Sequence, residues 1–157
     1  MQLRPAEPAD AAGVARLYLR ARHELLPYAP LAHSDEEVRA WVDELLLPVS
    51  LVTLAEREGR LAGFIASTVQ QGEDPCLWID QLYLQPELVG QGIGSALLLP
   101  LLAQEIKLPI RLYCFQANGG ARRFYERFGF EARVFSDGEG NEERCPDVLY
   151  ERGCPAS

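Results

Sequence analysis

Apolar and polar positions along this chain fall into stretches of two different periods. Leu3-Arg4-Pro5 reads as a short opening strand. After Asp10, residues Val14, Leu17, Tyr18, Ala21 and Leu25 recur at helical spacing and lie on one stripe. Pro27 and Pro30 end that helix. Ser34 and Glu37 have the spacing of a capping box, and Val38, Trp41, Val42 and Leu45 continue a second helix on one face until Pro48. Two apolar runs, Leu51 to Ala55 and Leu61 to Val69, flank Glu58-Gly59 and predict a hairpin. The polar turn 71–75 leads to a third strand, Cys76 to Leu84, and then to a glycine-rich turn and an apolar helix. Pro100 inside that helix removes a hydrogen bond, so it bends the helix or marks its boundary.

Pro109 opens a further strand, Ile110 to Phe115, and Asn118-Gly119-Gly120 starts a helix through Phe128, with Gly129 as its left-handed cap. Glu131 to Ser136 and Asp147 to Glu151 are the final strands, around the polar loop Asp137-Gly138-Glu139-Gly140-Asn141. The resulting order, β-α-α-β-β-β-α-β-α-β-β, mixes hairpins with crossover helices. It predicts an α/β (α+β) fold in which helices cover one mixed sheet.

The turn from Leu84 to Leu98 carries the most chemistry. Gly90, Gly92 and Gly94 let a ligand approach the backbone closely. The free N–H groups and dipole of the helix that follows favour negative charge there. This is a phosphate-binding arrangement; alone, it is also an ordinary strand-to-helix turn.

Composition narrows the classes. A chain of 157 residues is the size of one domain with one substantial core. Its formal net charge of −8 argues against a nucleic-acid partner and is compatible with a cationic substrate, although an acidic surface also serves solubility. No apolar run approaches the roughly 18 residues of a membrane span; Leu97 to Leu102 is short and flanked by Ser95 and Gln104. Without an apolar run at the N-terminus no secretory signal is expected, so the expected location is the cytoplasm. Cys76, Cys114, Cys145 and Cys154 lack metal-site spacing, as do His23 and His33. Cys76 and Cys114 read as free buried thiols, and no metal is expected.

At this point the chain resembles the GNAT family of acyl-CoA-dependent N-acyltransferases. Val89-Gly90-Gln91-Gly92-Ile93-Gly94 is similar to the family's Q/R-x-x-G-x-G/A turn. The run from Asn118 to Phe130 resembles its N-x-x-A-x-x-F-Y-x-x-x-G-F helix, and Leu3-Arg4-Pro5-Ala6 with Asp10 resembles its opening. In order and spacing these matches span nearly the whole chain. Val89 departs from the pattern, standing where the family has Gln or Arg. That removes a side chain which assists phosphate binding and leaves the backbone donors.

The resemblance implies one GNAT domain over residues 1–157, with about seven strands, mostly antiparallel, splayed at the cofactor site, and about four helices. It implies acetyl-CoA as cosubstrate, held by the backbone of Gly90, Gln91, Gly92, Ile93, Gly94 and Ser95 at its pyrophosphate. Leu82, Tyr83 and Leu84 face the pantetheine arm across a gap whose far side is Ile110 to Phe115. Asn118 orients the arm, or caps its helix, or both. Tyr125 matches the family tyrosine that protonates the departing thiolate, a role suited to a phenol of pKa about 10 against a thiol of about 8.5. As a core tyrosine beside Phe124 it has an alternative reading.

The general base is less defined. Asp80 interrupts an apolar run near the thioester end, which calls for a hydrogen bond or a use, and it is a candidate base acting through water. Tyr113 stands where the branch that acetylates protein N-termini carries a glutamate, which lowers that branch here. The loop Asp137 to Arg144, with Glu142, Glu143 and Asp147, either lines a pocket for a cationic acceptor or is a solvated hairpin. His23 and Glu24 fall where the family's acceptor site begins. The expected activity is acetyl transfer to a small-molecule primary amine by direct attack in a ternary complex. Protein amine acetylation and a non-catalytic acyl-CoA sensor are the alternatives. A homodimer is common in such families, and the oligomeric state stays open.

Overall fold

The computed structural model describes residues 1–103 and 107–153; Gln104 and Cys154 lie outside them. Seven strands form one sheet: β1 (Gln2–Pro5), β2 (Leu51–Arg57), β3 (Arg60–Gln70), β4 (Cys76–Leu84), β5 (Ile110–Phe115), β6 (Glu131–Ser136) and β7 (Asp147–Arg152). Their spatial order is β1-β2-β3-β4-β5-β7-β6. Among the described residues only the β4–β5 pair is parallel. The four helices are α1 (Ala11–Leu25), α2 (Asp35–Trp41), α3 (Ile93–Leu102) and α4 (Gly119–Arg127). The element order is the one expected, and the strand ends agree with the sequence reading to within two residues.

Local chemistry explains the turns. Glu58 and Gly59 both adopt positive φ, 55° and 74°, which matches a two-residue hairpin turn to the twist of β2 and β3. Ser34 Oγ accepts from Glu37 N at 3.2 Å and Glu37 Oε1 accepts from Ser34 N at 3.0 Å, completing the capping box. Gly129 sits at φ 88° after α4, as a left-handed cap requires.

Helices pack on both sheet faces. On one, α3 and α4 cover Leu77, Ile79, Leu112, Val148 and Tyr150. On the other, α1 and α2 cover Val52, Leu54, Phe64 and Ala66. Two sequence expectations shift at this level. Beyond Trp41 the second helix widens into a π-type segment, Val42–Leu46, and ends in one more turn, Leu47–Val49, just past Pro48. The wide turn adds a residue to the period, so Leu46 faces the core and Leu45 stays 55% exposed. On α1 the stripe holds at Val14, Leu17, Tyr18 and Ala21, but Leu25 is exposed and Arg22 and Leu26 turn inward. Pro100 lies on the exposed side of α3, two residues before its end; it has no N–H to give to the carbonyl four residues back, and the helix stops within a turn of it.

Cys76, Cys114 and Cys145 are buried free thiols. No helix among the described residues is long and apolar enough to cross a membrane.

Candidate active site

The sheet opens at its centre. β4 and β5 pair only at Leu77 with Ile110 and at Trp78 with Arg111, and Leu77 N donates to Pro109 O at 2.9 Å. Beyond these pairs the strands part. The expected gap therefore begins at Ile79 on one side and at Leu112 on the other; Ile110 and Arg111, expected in its far wall, are paired across it instead. β5 turns away because β7 holds it along its whole length, from Ile110–Arg152 to Phe115–Asp147.

A β-bulge lies at the start of the opening. Ala66 pairs with Gln81 and Ser67 with Ile79, so Asp80 is the extra residue with no partner on β3. Bulges of this kind re-aim a side chain. The Asp80 carboxyl is exposed, accepts a 2.9 Å hydrogen bond from Thr68 Oγ1, and has its pKa raised by desolvation, a shift that the Thr68 bond partly offsets. The expected hydrogen bond to Asp80 is present, and the carboxyl also stays open to a cavity.

A slot of about 260 Å³ occupies the parting between the strands. Ile79 to Tyr83 of β4, Leu112 to Phe115 of β5, Asn118, Ala121 and Tyr125 line it. Tyr125 is held by ring contacts with Phe124 at 5.2 Å and Phe130 at 5.6 Å. Its hydroxyl has no hydrogen-bond partner among the described residues. Burial drives the Tyr125 phenol well above its ordinary pKa, so it stays protonated across the neutral range. The other core tyrosine of this region, Tyr150, donates to Glu126 Oε2 at 2.6 Å and accepts from Arg122 Nε at 3.0 Å, which commits its hydroxyl to packing. Asn118 caps α4, its Oδ1 accepting from Ala121 N at 3.2 Å, and also lines the slot. Burial pushes the Cys114 thiol, in the same wall, up to about 11.

The glycine-rich turn lies after the open end of β4. Gly90 and Gly92 both have φ 85°, and a Cβ added at either would meet nothing within 4 Å, so the ground above them is clear. Gly92 is the N-cap of α3. Gly94 serves differently: a Cβ there would come 3.4 Å from the Phe124 ring, so its bareness lets α3 and α4 close up. Ile93 is buried in the core, which leaves only its backbone available to a ligand. Gln91 accepts from Arg57 of β2 and donates to Glu87 O at 3.3 Å, while Val89 is 52% exposed. Leu82 and Tyr83 line the slot, whereas Leu84 packs against Gly63 and α3 and does not line it.

A second cavity, about 570 Å³, meets the slot across the bulge, sharing Asp80, Gln81, Tyr83, Tyr113 and Phe115 with it. Its other walls come from α1, α2 and the β6–β7 loop: Tyr18, Arg22, His33, Glu37, Trp41, Glu142 and Glu143 among them. Glu142 and Glu143, read from the sequence as either pocket-lining or part of a solvated hairpin, line this cavity; Asp147 lines the slot instead, and His23 and Glu24 line neither. Sequence reading missed Tyr18, Arg22, His33, Glu37 and Trp41. Arg22 is 4% exposed and donates to Ala29 O at 2.8 Å and Tyr18 Oη at 3.2 Å, with Glu143 at 3.5 Å.

Known proteins share this architecture. The acetyltransferase (GNAT) family matches residues 18–130. An uncharacterized N-acetyltransferase of Escherichia coli K12, YafP, is 30% identical over 137 residues, covering 83% of this chain and 81% of its own. Among solved structures, the ribosomal-protein-alanine N-acetyltransferase of Brucella melitensis shares the fold at TM-score 0.76 and 21% identity, covering 97% of this chain and 99% of its own. The PaiA N-acetyltransferase of Thermoplasma acidophilum, solved with coenzyme A, does so at 0.69 and 22%, covering 97% and 98%. This chain belongs to the GNAT family, acetyltransferases that move an acyl group from acyl-CoA to an amine.

Proposed function

We propose that the protein is an acetyl-CoA-dependent N-acetyltransferase of small cationic amines, built as a single domain and working in the cytoplasm. The observation that carries this reading is the meeting of two cavities at one bulge: a slot between parted strands beside Tyr125, and a carboxylate-lined cavity on the other side of Asp80. One sheet that joins all seven strands supports a single domain, and buried free thiols fit a reducing compartment.

The slot residues fit a pantetheine arm. The opened edge of β4 offers unpaired backbone groups, as an edge strand does to a peptide. Gly90, Gln91, Gly92, Ile93, Gly94 and Ser95 would hold the pyrophosphate through backbone N–H groups at the start of α3. The bound cosubstrate supplies an activated thioester. The chain's own part is to accept a proton from the incoming ammonium and to give one to the departing thiolate. Asp80 is the base in this account, directly or through one water, because it stands where the cavities meet. Tyr125 is the acid, because its free hydroxyl stands in the slot and remains protonated.

A protein acceptor is less well supported. The second cavity is walled by α1, α2 and the β6–β7 loop, and Glu142 meets His33 across it at 3.0 Å, which bounds the site instead of leaving a long groove. A pure sensor would have no use for the carboxyl at the junction.

The test is amine-dependent release of coenzyme A thiol from acetyl-CoA, followed against pH. The Asp80 carboxylate must be ionised to take a proton, so the rate falls as pH drops through its raised pKa. Thr68 donates to the charged form and holds that pKa down; Thr68→Val therefore moves the acid limb to higher pH, and Asp80→Asn abolishes it. Thiol release that no amine stimulates would reject the enzyme reading, and a limb unmoved in both variants would clear Asp80.

A further inference from the structure

The second cavity holds more negative charge than one reacting amine requires. Glu37, Asp80, Glu142 and Glu143 line it, against Arg22 and His33. Arg22 and Glu143 offset each other at 3.5 Å. Asp80 is at the slot junction, where the proposed function uses it. Glu37 of α2 and Glu142 of the β6–β7 loop remain, and they converge on one ring. His33 Nδ1 lies 3.4 Å from Glu37 Oε2, and His33 Nε2 lies 3.0 Å from Glu142 Oε2. The hydrogen bond with Glu142, then that with Glu37, raises the pKa of His33, so this carboxylate pair favours the charged form of the ring. Tyr18 and Trp41, ring centroids 5.2 Å apart, line the same cavity, and the Arg22 guanidinium already lies over the Tyr18 ring, 5.9 Å from its centroid.

We propose that Glu37 and Glu142 bind a second cationic group of the acceptor, so that the acceptor is a linear primary amine carrying another ammonium or guanidinium several methylenes away. This rests on reading the second cavity as the acceptor site. His33 is then a stand-in cation: its imidazole fills the place between the two carboxylates until the distal group of the substrate enters. Glu37 has two duties at once, one oxygen on the Ser34 backbone and the other toward His33.

A matched pair of acceptors tests this in the unaltered protein. Cadaverine and pentylamine have the same carbon chain and differ in the distal ammonium alone. The kcat/KM for cadaverine exceeds that for pentylamine by about threefold to tenfold, the gain from two exposed ion pairs less the His33 contacts they displace. The double variant Glu37→Gln with Glu142→Gln brings the ratio to near one, the glutamine oxygen still available to the cap at Ser34. His33→Ala keeps or widens the ratio, because an internal competitor has gone. Equal use of both amines by the wild type overturns the proposal and leaves the acetyltransferase reading intact. Collapse of the ratio in His33→Ala also overturns it, since His33 would then be a structural clasp. Failure of both amines to release thiol overturns it together with the reading of the cavity.

Discussion

Tyr125→Phe lowers turnover by about tenfold to a hundredfold while acetyl-CoA binding stays close to that of the wild type. The size follows from losing a positioned proton donor for the thiolate, a change of roughly 1.4 to 2.7 kcal/mol in the barrier. The specificity follows from packing. Phe124, Phe130 and Tyr150 hold the ring by its faces and edges at centroid distances of 5.2, 5.6 and 6.4 Å, and phenylalanine keeps all three. The lost hydroxyl had no hydrogen-bond partner among the described residues, so its removal orphans nothing there. Steady-state thiol release and a thermal shift with acetyl-CoA separate the two effects. Turnover equal to that of the wild type would remove Tyr125 as the acid.

Gly138→Ala disables the acceptor side and spares the donor side. Gly138 has φ 87°, and a Cβ there would lie 2.4 Å, 2.6 Å and 2.8 Å from C, O and N of Cys145. Those are backbone atoms, so no side-chain rotation relieves the overlap. The loop is tied on itself at this point: Asn141 Nδ2 donates to Cys145 O at 2.7 Å, and Cys145 N donates to Asn141 Oδ1 at 3.1 Å. Between these ties the loop carries Glu142 and Glu143 to the second cavity. Strain and overlap together amount to about 2 to 4 kcal/mol, enough to rearrange the loop. The expected outcome is a lower Tm and a several-fold higher KM for amines, with the acetyl-CoA thermal shift retained. An unchanged Tm and amine KM would show that the loop neither needs this turn nor serves the acceptor.

Much of the architecture was legible because its signals are local. Glycine in a left-handed turn, serine and glutamate three apart, and apolar runs bounded by prolines each act within a few residues, and the strands and helices followed them. Leu45 shows where that stops: its exposure depends on a wide turn after Trp41, which the helical period does not contain. The site divides along the same line. The glycine turn, Asn118 and Tyr125 stood in contiguous motifs. The bulge at Asp80 and the point where β5 leaves β4 depend on pairing with β3 and β7, which a linear pattern does not encode. The residues of the second cavity were hidden for a further reason. Glu37 was accounted for by its cap, His33 by its failure to fit a metal pattern, and Arg22 stood one position from the expected His23. Each was joined to the site only when α1, α2 and the β6–β7 loop came together.

The central claim is that a thioester carrier lies along the opened edge of β4. Amide hydrogen exchange with and without acetyl-CoA tests it segment by segment. The account predicts added protection at 79–84 and 90–95, with residues 51–57 of β2 unaffected. Cofactor binding that left 79–84 and 90–95 exchanging as before would contradict it.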